Sequence, residues 1–262
     1  MTSTTNHRLG SGSGTGKHHQ YGSSTRLASG ARPSSIRSIL GIALGCALCF
    51  SVTTFGQTSV PADPAVVAGV VQAFYDQTQT LQAHFHQTYV HRLYKRAERS
   101  KGRVAFKKPG KMRWDYAQPN GKIVVSDGSK LLVYEPGDQG ERGQVYEQSL
   151  GEAQLPQALS FLLGQGLLTQ DFHLRSLDSR RQGYPSGHVL ELRAKQPSPH
   201  YERILFYVEQ DARLRGLVRR VLIVDHDGNR NRLDFSKMSF NRRVPDARFA
   251  WTPPKGTRKI TP

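Results

Sequence analysis

The sequence predicts an α+β domain in which helices cover the open side of one strongly curved antiparallel sheet of about 11 strands. Two observations predict this fold. Apolar residues recur at helical spacing just after residue 63, and from Leu81 onward they recur at every second residue in short segments separated by turn residues. A leucine-bearing segment at 155–168 interrupts these segments, so about six strands precede it and about five follow it.

The first 56 residues are expected to lie outside the folded domain. Residues 1–36 consist mainly of Ser, Thr, Gly, His and Arg, a composition typical of disorder. Arg37, the apolar run Ile39–Phe50 and the small residues after it have the pattern of a secretory signal peptide with cleavage near residue 56. An anchor or a buried helix is the alternative, although the run is short for a bilayer span. We therefore expect a basic leader plus signal peptide at 1–56, a linker at 57–62 and one domain at 63–262.

Charge and cysteine content narrow the class of protein. The chain has 37 Lys and Arg against 20 Asp and Glu, a net charge of +17. Such a balance indicates nucleic acid, an anionic membrane surface or an acidic partner; no nucleic-acid motif is present, and a basic surface without a specific partner is the alternative. Cys46 and Cys49 both lie inside the signal core, and the residues before Cys46 match a lipid-attachment motif poorly. A cleaved chain would contain no disulfide.

The predicted helix begins at Asp63-Pro64, where a capping carboxylate precedes a proline at the first helical position. It is expected to run to about Gln79. Its apolar stripe consists of Val66, Val67, Val70, Val71, Phe74 and Leu81.

A long strand follows, with one face made by Leu81, Ala83, Phe85, Gln87, Tyr89, His91 and Leu93. The turns Ser126–Ser129 and Asp227–Asn229 each join two strands, and a second helix is expected within Leu155–Leu168. The remaining predicted strands are Arg103–Lys107, Lys111–Tyr116, Ile123–Ser126, Leu131–Glu135, Gln144–Gln148, Phe172–Leu177, His188–Ala194, Arg203–Glu209, Leu217–Asp225 and Arg230–Phe235.

Several strands are apolar on both faces, including Leu131–Tyr134, Ile204–Val208 and Val221–Val224. One face of an antiparallel sheet usually meets water. Ordinary core packing and an inner face that lines an apolar cavity both explain these runs.

Five segments resemble, in order, the outer-membrane lipoprotein carrier proteins (LolA). They are Phe85-His86-Gln87, the strand-turn-strand Gly102–Tyr116, Val125–Gly128 after Gln118-Pro119, Leu132–Pro136, and the closing Phe249–Gly256. The resemblance extends from about Asp63 to Gly256. It implies an incomplete antiparallel barrel whose helical lid encloses an apolar cavity for lipoprotein acyl chains.

The resemblance also implies a function and partners. The protein would be a monomeric periplasmic carrier that receives acylated lipoproteins from an inner-membrane, ATP-driven exporter complex and delivers them to an outer-membrane receptor lipoprotein. It implies no enzyme activity, no cofactor and no metal. A periplasmic lipid-sensing regulatory module and a glycolipid-binding protein of the same fold are the alternatives.

Six residues are predicted to act in this function. Family members commonly carry an arginine that holds the lid just before the strand-ending proline, and this position is Lys108 here. Lysine lacks the planar fork of donors, so we expect a looser lid or a different latch. The predicted acyl-chain cavity residues are Met112, Trp114, Leu159, Leu162 and Leu163; an ordinary core role is the alternative for Met112 and Trp114.

Two other patterns resemble those of metal-binding or catalytic residues. His84 and His86 share a strand face at the spacing of a metal-binding pair, with His91 on the opposite face. The carboxylates of Asp225-His226-Asp227 are better explained by the turn that follows them. Neither pattern predicts an enzyme.

Overall fold

The computed structural model describes residues 62–138, 141–149 and 166–260. Helix α1 spans Pro64–Asp76, and the Asp63 Oδ1 accepts a hydrogen bond from the Ala65 amide at 2.8 Å. The predicted start is therefore confirmed. The helix ends three residues before the predicted Gln79, because the chain already enters the sheet at Thr80.

The buried face of α1 is shifted from the predicted stripe. It consists of Val67, Ala68, Val71 and Tyr75. Val66 is 57% exposed, so its assignment to the buried face is wrong. Residues 67, 71 and 75 are spaced by four and lie one above another on a helix, whereas Val66 lies around the side.

Twelve strands form one open sheet in the order β12-β6-β5-β4-β3-β2-β1-β11-β10-β9-β8-β7. Among the strands that the structure describes, only the β12–β6 pair is parallel. Register shifts on β1 at Gln82/His84 and on β10 at Val218/Arg220 are irregularities of the type that bends a sheet. The strands are β1 Thr80–His91, β2 Arg96–Lys107, β3 Lys111–Tyr116, β4 Ile123–Asp127, β5 Lys130–Glu135, β6 Gln144–Ser149, β7 Phe172–Leu177, β8 Gly187–Ala194, β9 Arg203–Glu209, β10 Val218–Val224, β11 Arg230–Phe240 and β12 Arg258–Ile260.

The predicted α+β class and antiparallel sheet are confirmed, with 12 strands in place of about 11. β2 begins at Arg96, seven residues before the predicted start, and β12 was not predicted. Leu93 lies in the turn after β1 and is exposed, so its place on the strand face is wrong. The predicted helix within Leu155–Leu168 lies outside the described residues except for its last three, and Leu168 begins the short helix α2 (Leu168–Asp171).

The main core lies on one face of the sheet, which we call the inner face. Helix α1 packs there against α2, β7 and β8. Smaller apolar clusters lie on the opposite, outer face around Val125, Val189 and Val244. Within the described residues, no helix combines the length and apolar character that a membrane span requires.

Candidate functional site

The inner face carries a group of aromatic side chains contributed by four strands. Strand pairing aligns Phe85 with Gly102 and Gly102 with Tyr116, while Val104 pairs with Trp114. The Trp114 ring centroid lies 5.0 Å from that of Phe85, 5.8 Å from Phe106 and 6.2 Å from Phe235. We call Phe85, Phe106, Trp114, Tyr116 and Phe235 the aromatic cluster.

Gly102 allows the aromatic cluster to form. A Cβ atom there would lie 2.2 Å from the Asp115 carbonyl oxygen and 2.7 Å from the Phe85 ring. Real Cβ atoms do not approach this closely, so the ring of Phe85 occupies space that any other residue at position 102 would take. The glycine that opens the Gly102–Tyr116 segment is therefore a packing requirement.

The structure brings two of the predicted cavity residues together on this face. Met112 is 1% exposed and Trp114 is 6% exposed, and both belong to the main core cluster that also includes Val71 and Tyr75 of α1. Leu159, Leu162 and Leu163 lie outside the described residues. The described residues thus contain an apolar inner face covered in part by α1.

Lys108 contacts the carboxyl end of α1. Its Nζ donates a hydrogen bond to the Tyr75 carbonyl oxygen at 2.6 Å, and the same oxygen accepts from the Thr78 amide at 3.0 Å. A cation is favourable here because the last carbonyls of a helix carry partial negative charge. Burial lowers the pKa of Lys108, and the nearby Asp76 carboxylate opposes that shift.

Lys107 lies on the opposite face of the sheet. Its Nζ donates to Asp246 Oδ1 at 2.7 Å and to the Val244 carbonyl oxygen at 3.0 Å. Alternation along β2 separates the two neighbouring lysines, so only Lys108 reaches the helix. This agrees with the sequence position chosen for the latch, although the latch function itself stays a prediction.

Two contacts that the sequence did not reveal also hold α1. The Tyr75 hydroxyl accepts a hydrogen bond from the Val218 amide at 3.3 Å, and burial raises the pKa of this phenol. The Gln72 Oε1 accepts from the Leu168 amide at 3.2 Å and so connects α1 to α2. Helical spacing from Val71 places Tyr75 on the buried face, but no sequence signal identifies its partner.

A groove of about 710 Å³ lies on the outer face, and its lining includes His84, His86 and Arg103. Arg113, also in the lining, donates to Asp115 Oδ1 at 2.8 Å and to the Arg248 carbonyl oxygen at 3.1 Å. The prediction that the two histidines share a face is confirmed. No three His, Cys, Asp or Glu side chains are grouped for metal binding within the residues that the structure describes.

The Asp225-His226-Asp227 segment forms the turn predicted for it. Asn229 donates to both oxygens of Asp225, from its amide at 2.8 Å and from its Nδ2 at 2.9 Å. The His226 Nε2 lies 2.7 Å from the Ser198 carbonyl oxygen. The Asp225 carboxylate is thus engaged in the turn.

Comparison with known proteins identifies the family. Residues 76–252 match the family model described as outer membrane lipoprotein carrier protein LolA. The chain belongs to the LolA family. Two proteins named outer-membrane lipoprotein carrier protein are similar to it. One, from Chromobacterium violaceum, is 29% identical over 202 residues, covering 76% of this chain and 91% of the relative. One from Methylibium petroleiphilum is 30% identical over 191 residues, covering 72% and 87%.

Among solved structures, the LolA superfamily protein NE2245 from Nitrosomonas europaea aligns with a TM-score of 0.42 and 17% identity. The alignment covers 72% of this chain and 97% of that protein.

The LolA-like motifs of this chain occupy both faces of the sheet. Phe85 of the first motif lies in the aromatic cluster of the inner face. Phe249 of the closing motif packs with Ala105 and Val244 on the outer face. Trp251 of the same motif packs against the Tyr134 ring on the outer face, with centroids 5.3 Å apart. The closing motif therefore holds the outside of the sheet.

Proposed function

We propose that this LolA family member is a periplasmic carrier that binds the acyl chains of lipoproteins against its inner sheet face. The observation that carries the proposal is the aromatic cluster, whose members belong with Met112 and the buried side of α1 to one apolar core on the inner face. An acyl chain needs an extended apolar surface that excludes water. Each methylene removed from water contributes about 0.8 kcal/mol, so a lipoprotein with several chains cannot cross the periplasm unescorted.

We further propose that α1 and the segment 155–168 act as the lid, with Leu159, Leu162 and Leu163 contacting the chains. In the structure α1 occupies part of the inner face, and the Lys108 Nζ donates a hydrogen bond to the Tyr75 carbonyl oxygen at its carboxyl end. Acyl chains would replace α1 on this face, which requires them to favour the open state over the closed one. The carrier would receive its cargo from an inner-membrane exporter complex and deliver it to an outer-membrane receptor.

The two tryptophans provide a direct test, since Trp114 lies on the inner face and Trp251 on the outer face. We would prepare the Trp251→Phe and Trp114→Phe proteins, each with a single tryptophan, and titrate them with a lipopeptide whose acyl chains carry bromine. Bromine quenches tryptophan fluorescence at short range. We expect strong quenching of Trp114 and little quenching of Trp251.

The control is the same lipopeptide without bromine, which measures fluorescence changes caused by binding alone. Equal quenching of the two tryptophans, or none in a folded protein, would contradict the inner-face site. Quenching of Trp114 by brominated glycolipid but not by brominated lipopeptide would favour a glycolipid-binding protein over a lipoprotein carrier.

A further inference from the structure

The tip of the β1–β2 hairpin exposes two large apolar side chains to water. Leu93 is 77% exposed and Tyr94 is 73% exposed, more than any other large apolar residue that the structure describes. They lie in the turn between His91 and Arg96, where Lys95 adopts a positive φ of 50°. Keeping a leucine and a tyrosine in water costs free energy that a contact with a partner would recover.

The hairpin extends beyond the neighbouring strand on one side. β2 pairs with β1 over its full length, from Lys107 to Arg96, but it pairs with β3 only from Gly102 onward. The four residues 96–99 of β2 are all exposed. The turn thus projects past β3 on one side, while on the other side Arg92 donates to the Asn229 side chain and to the Asp227 carbonyl oxygen of the β10–β11 turn. Its two apolar side chains remain the most exposed apolar part of this edge and are available to a soft surface.

Cations surround the two apolar residues. The acids on this side of the molecule include Glu98, which lies 3.5 Å from Arg96, and Glu202, which lines one groove with Arg92. Asp225 and Asp227 lie in the neighbouring turn. The Asp225 carboxylate is occupied by Asn229. Within residues 92–99 four cations stand against the one acid Glu98, and the four are Arg92, Lys95, Arg96 and Arg99.

We propose that the β1–β2 hairpin tip docks the protein on the surface of an anionic phospholipid bilayer. Leu93 enters the acyl boundary, Tyr94 lies at the headgroup level with its hydroxyl in water, and the flanking cations attract the lipid phosphates. Tyrosine is suited to this position because its ring is apolar and its hydroxyl is polar. Apolar insertion and cationic attraction are each weak alone, and stable attachment requires both.

This inference does not depend on the carrier proposal, because the tip residues are absent from the inner-face core cluster. The test is flotation of the purified protein with vesicles of phosphatidylcholine alone and of phosphatidylcholine mixed with phosphatidylglycerol. We expect the protein to float with the anionic vesicles, to remain unbound with the neutral ones, and to dissociate as salt is added.

Three variants separate the contributions. Leu93→Ser with Tyr94→Ser should weaken binding to anionic vesicles at least tenfold, and Lys95→Glu with Arg96→Glu should do the same through charge. Val66→Ser removes an exposed apolar side chain from α1 and should bind as wild type does. Circular dichroism would check that each variant is folded.

The proposal is overturned if the wild-type protein floats with neither vesicle. It is also overturned if the Leu93→Ser and Tyr94→Ser protein floats as wild type does, or if Val66→Ser loses binding to the same extent. In the first case the tip would fit a protein partner instead of a bilayer.

Discussion

Replacing Lys108 with methionine should loosen the carboxyl end of α1 without unfolding the sheet. Methionine keeps an unbranched apolar stem but removes the ammonium group that donates to the Tyr75 carbonyl oxygen at 2.6 Å. That oxygen keeps its second hydrogen bond, from the Thr78 amide at 3.0 Å. The substitution therefore leaves no buried acceptor without a partner, and the larger cost of an orphaned group is avoided.

The magnitude follows from three contributions. A hydrogen bond from a charged donor contributes about 1.5–3 kcal/mol when shielded, and a cation at a helix carboxyl end adds about 0.3–1 kcal/mol. Burial of the ammonium group opposes both, as the lowered pKa of Lys108 indicates, and solvent screening of this half-buried group reduces them further. We expect a net loss of about 1 kcal/mol, or about fivefold more frequent opening of α1.

Hydrogen–deuterium exchange of the α1 amides measures this opening. Exchange between Val67 and Asp76 should be about fivefold faster in Lys108→Met, with the amides of β8 and β9 unchanged. Lys107→Met is the matched control, because that neighbouring side chain contacts Asp246 on the outer face. Lys108→Arg should slow the exchange, since arginine offers more donors to the same carbonyls. Unchanged exchange in Lys108→Met, or faster exchange spread equally over the strands, would refute the latch.

Two further predictions concern the sheet. Gly102→Ala should destabilise the protein by about 3 kcal/mol in urea unfolding, because its Cβ would meet the Asp115 carbonyl oxygen at 2.2 Å and strands cannot separate to relieve it. Gly69→Ala, whose Cβ meets nothing within 4 Å, should instead stabilise α1 by about 1 kcal/mol; equal effects would contradict the packing argument. Hydrogen bonds from Lys130 and Ser129 lower the pKa of Asp127 to about 2. Its carboxylate therefore stabilises the fold above about pH 4, the unfolded pKa, and this stabilisation is lost as pH falls toward 2. Asp127→Asn should lose less stability than wild type over that range, and a parallel decline would refute the assignment.

Strands with alternating apolar residues could be predicted from the sequence almost to the residue. β3, β7 and β9 have the predicted bounds. In β3 the most buried side chains, Met112 and Trp114, recur at period two, whereas β9 is a continuous apolar run that is buried on both faces. The charged first half of β2 carries no such signal. It is a strand because every residue from Arg96 to Lys107 pairs with β1. β12 has three residues, and its strand character comes from its parallel pairing with β6.

The sequence predicts which residues share the face of the candidate site, but it does not predict which of their atoms contact each other. Alternation places Met112 and Trp114 on one face, and the structure has both in the main core. The sequence offers no means of finding that Lys108 contacts the carbonyl of Tyr75, 33 residues earlier in the chain. Such a contact depends on where α1 crosses the sheet, which is determined by packing between distant segments.

The energies of the inner face indicate that a weak latch would suit the proposed carrier. Burial of Val67, Val71 and Tyr75 by α1 contributes about 1.5–3 kcal/mol for each side chain. One acyl chain of ordinary length, at about 0.8 kcal/mol per methylene, contributes on the order of 10 kcal/mol on the same surface. A single bound chain can therefore offset the displacement of α1, while the empty protein still closes. Because the Lys108 contact adds only about 1 kcal/mol to the position of α1 seen in the structure, in the proposed carrier it would set how readily α1 leaves the inner face, while the aromatic cluster would provide the surface for the acyl chains.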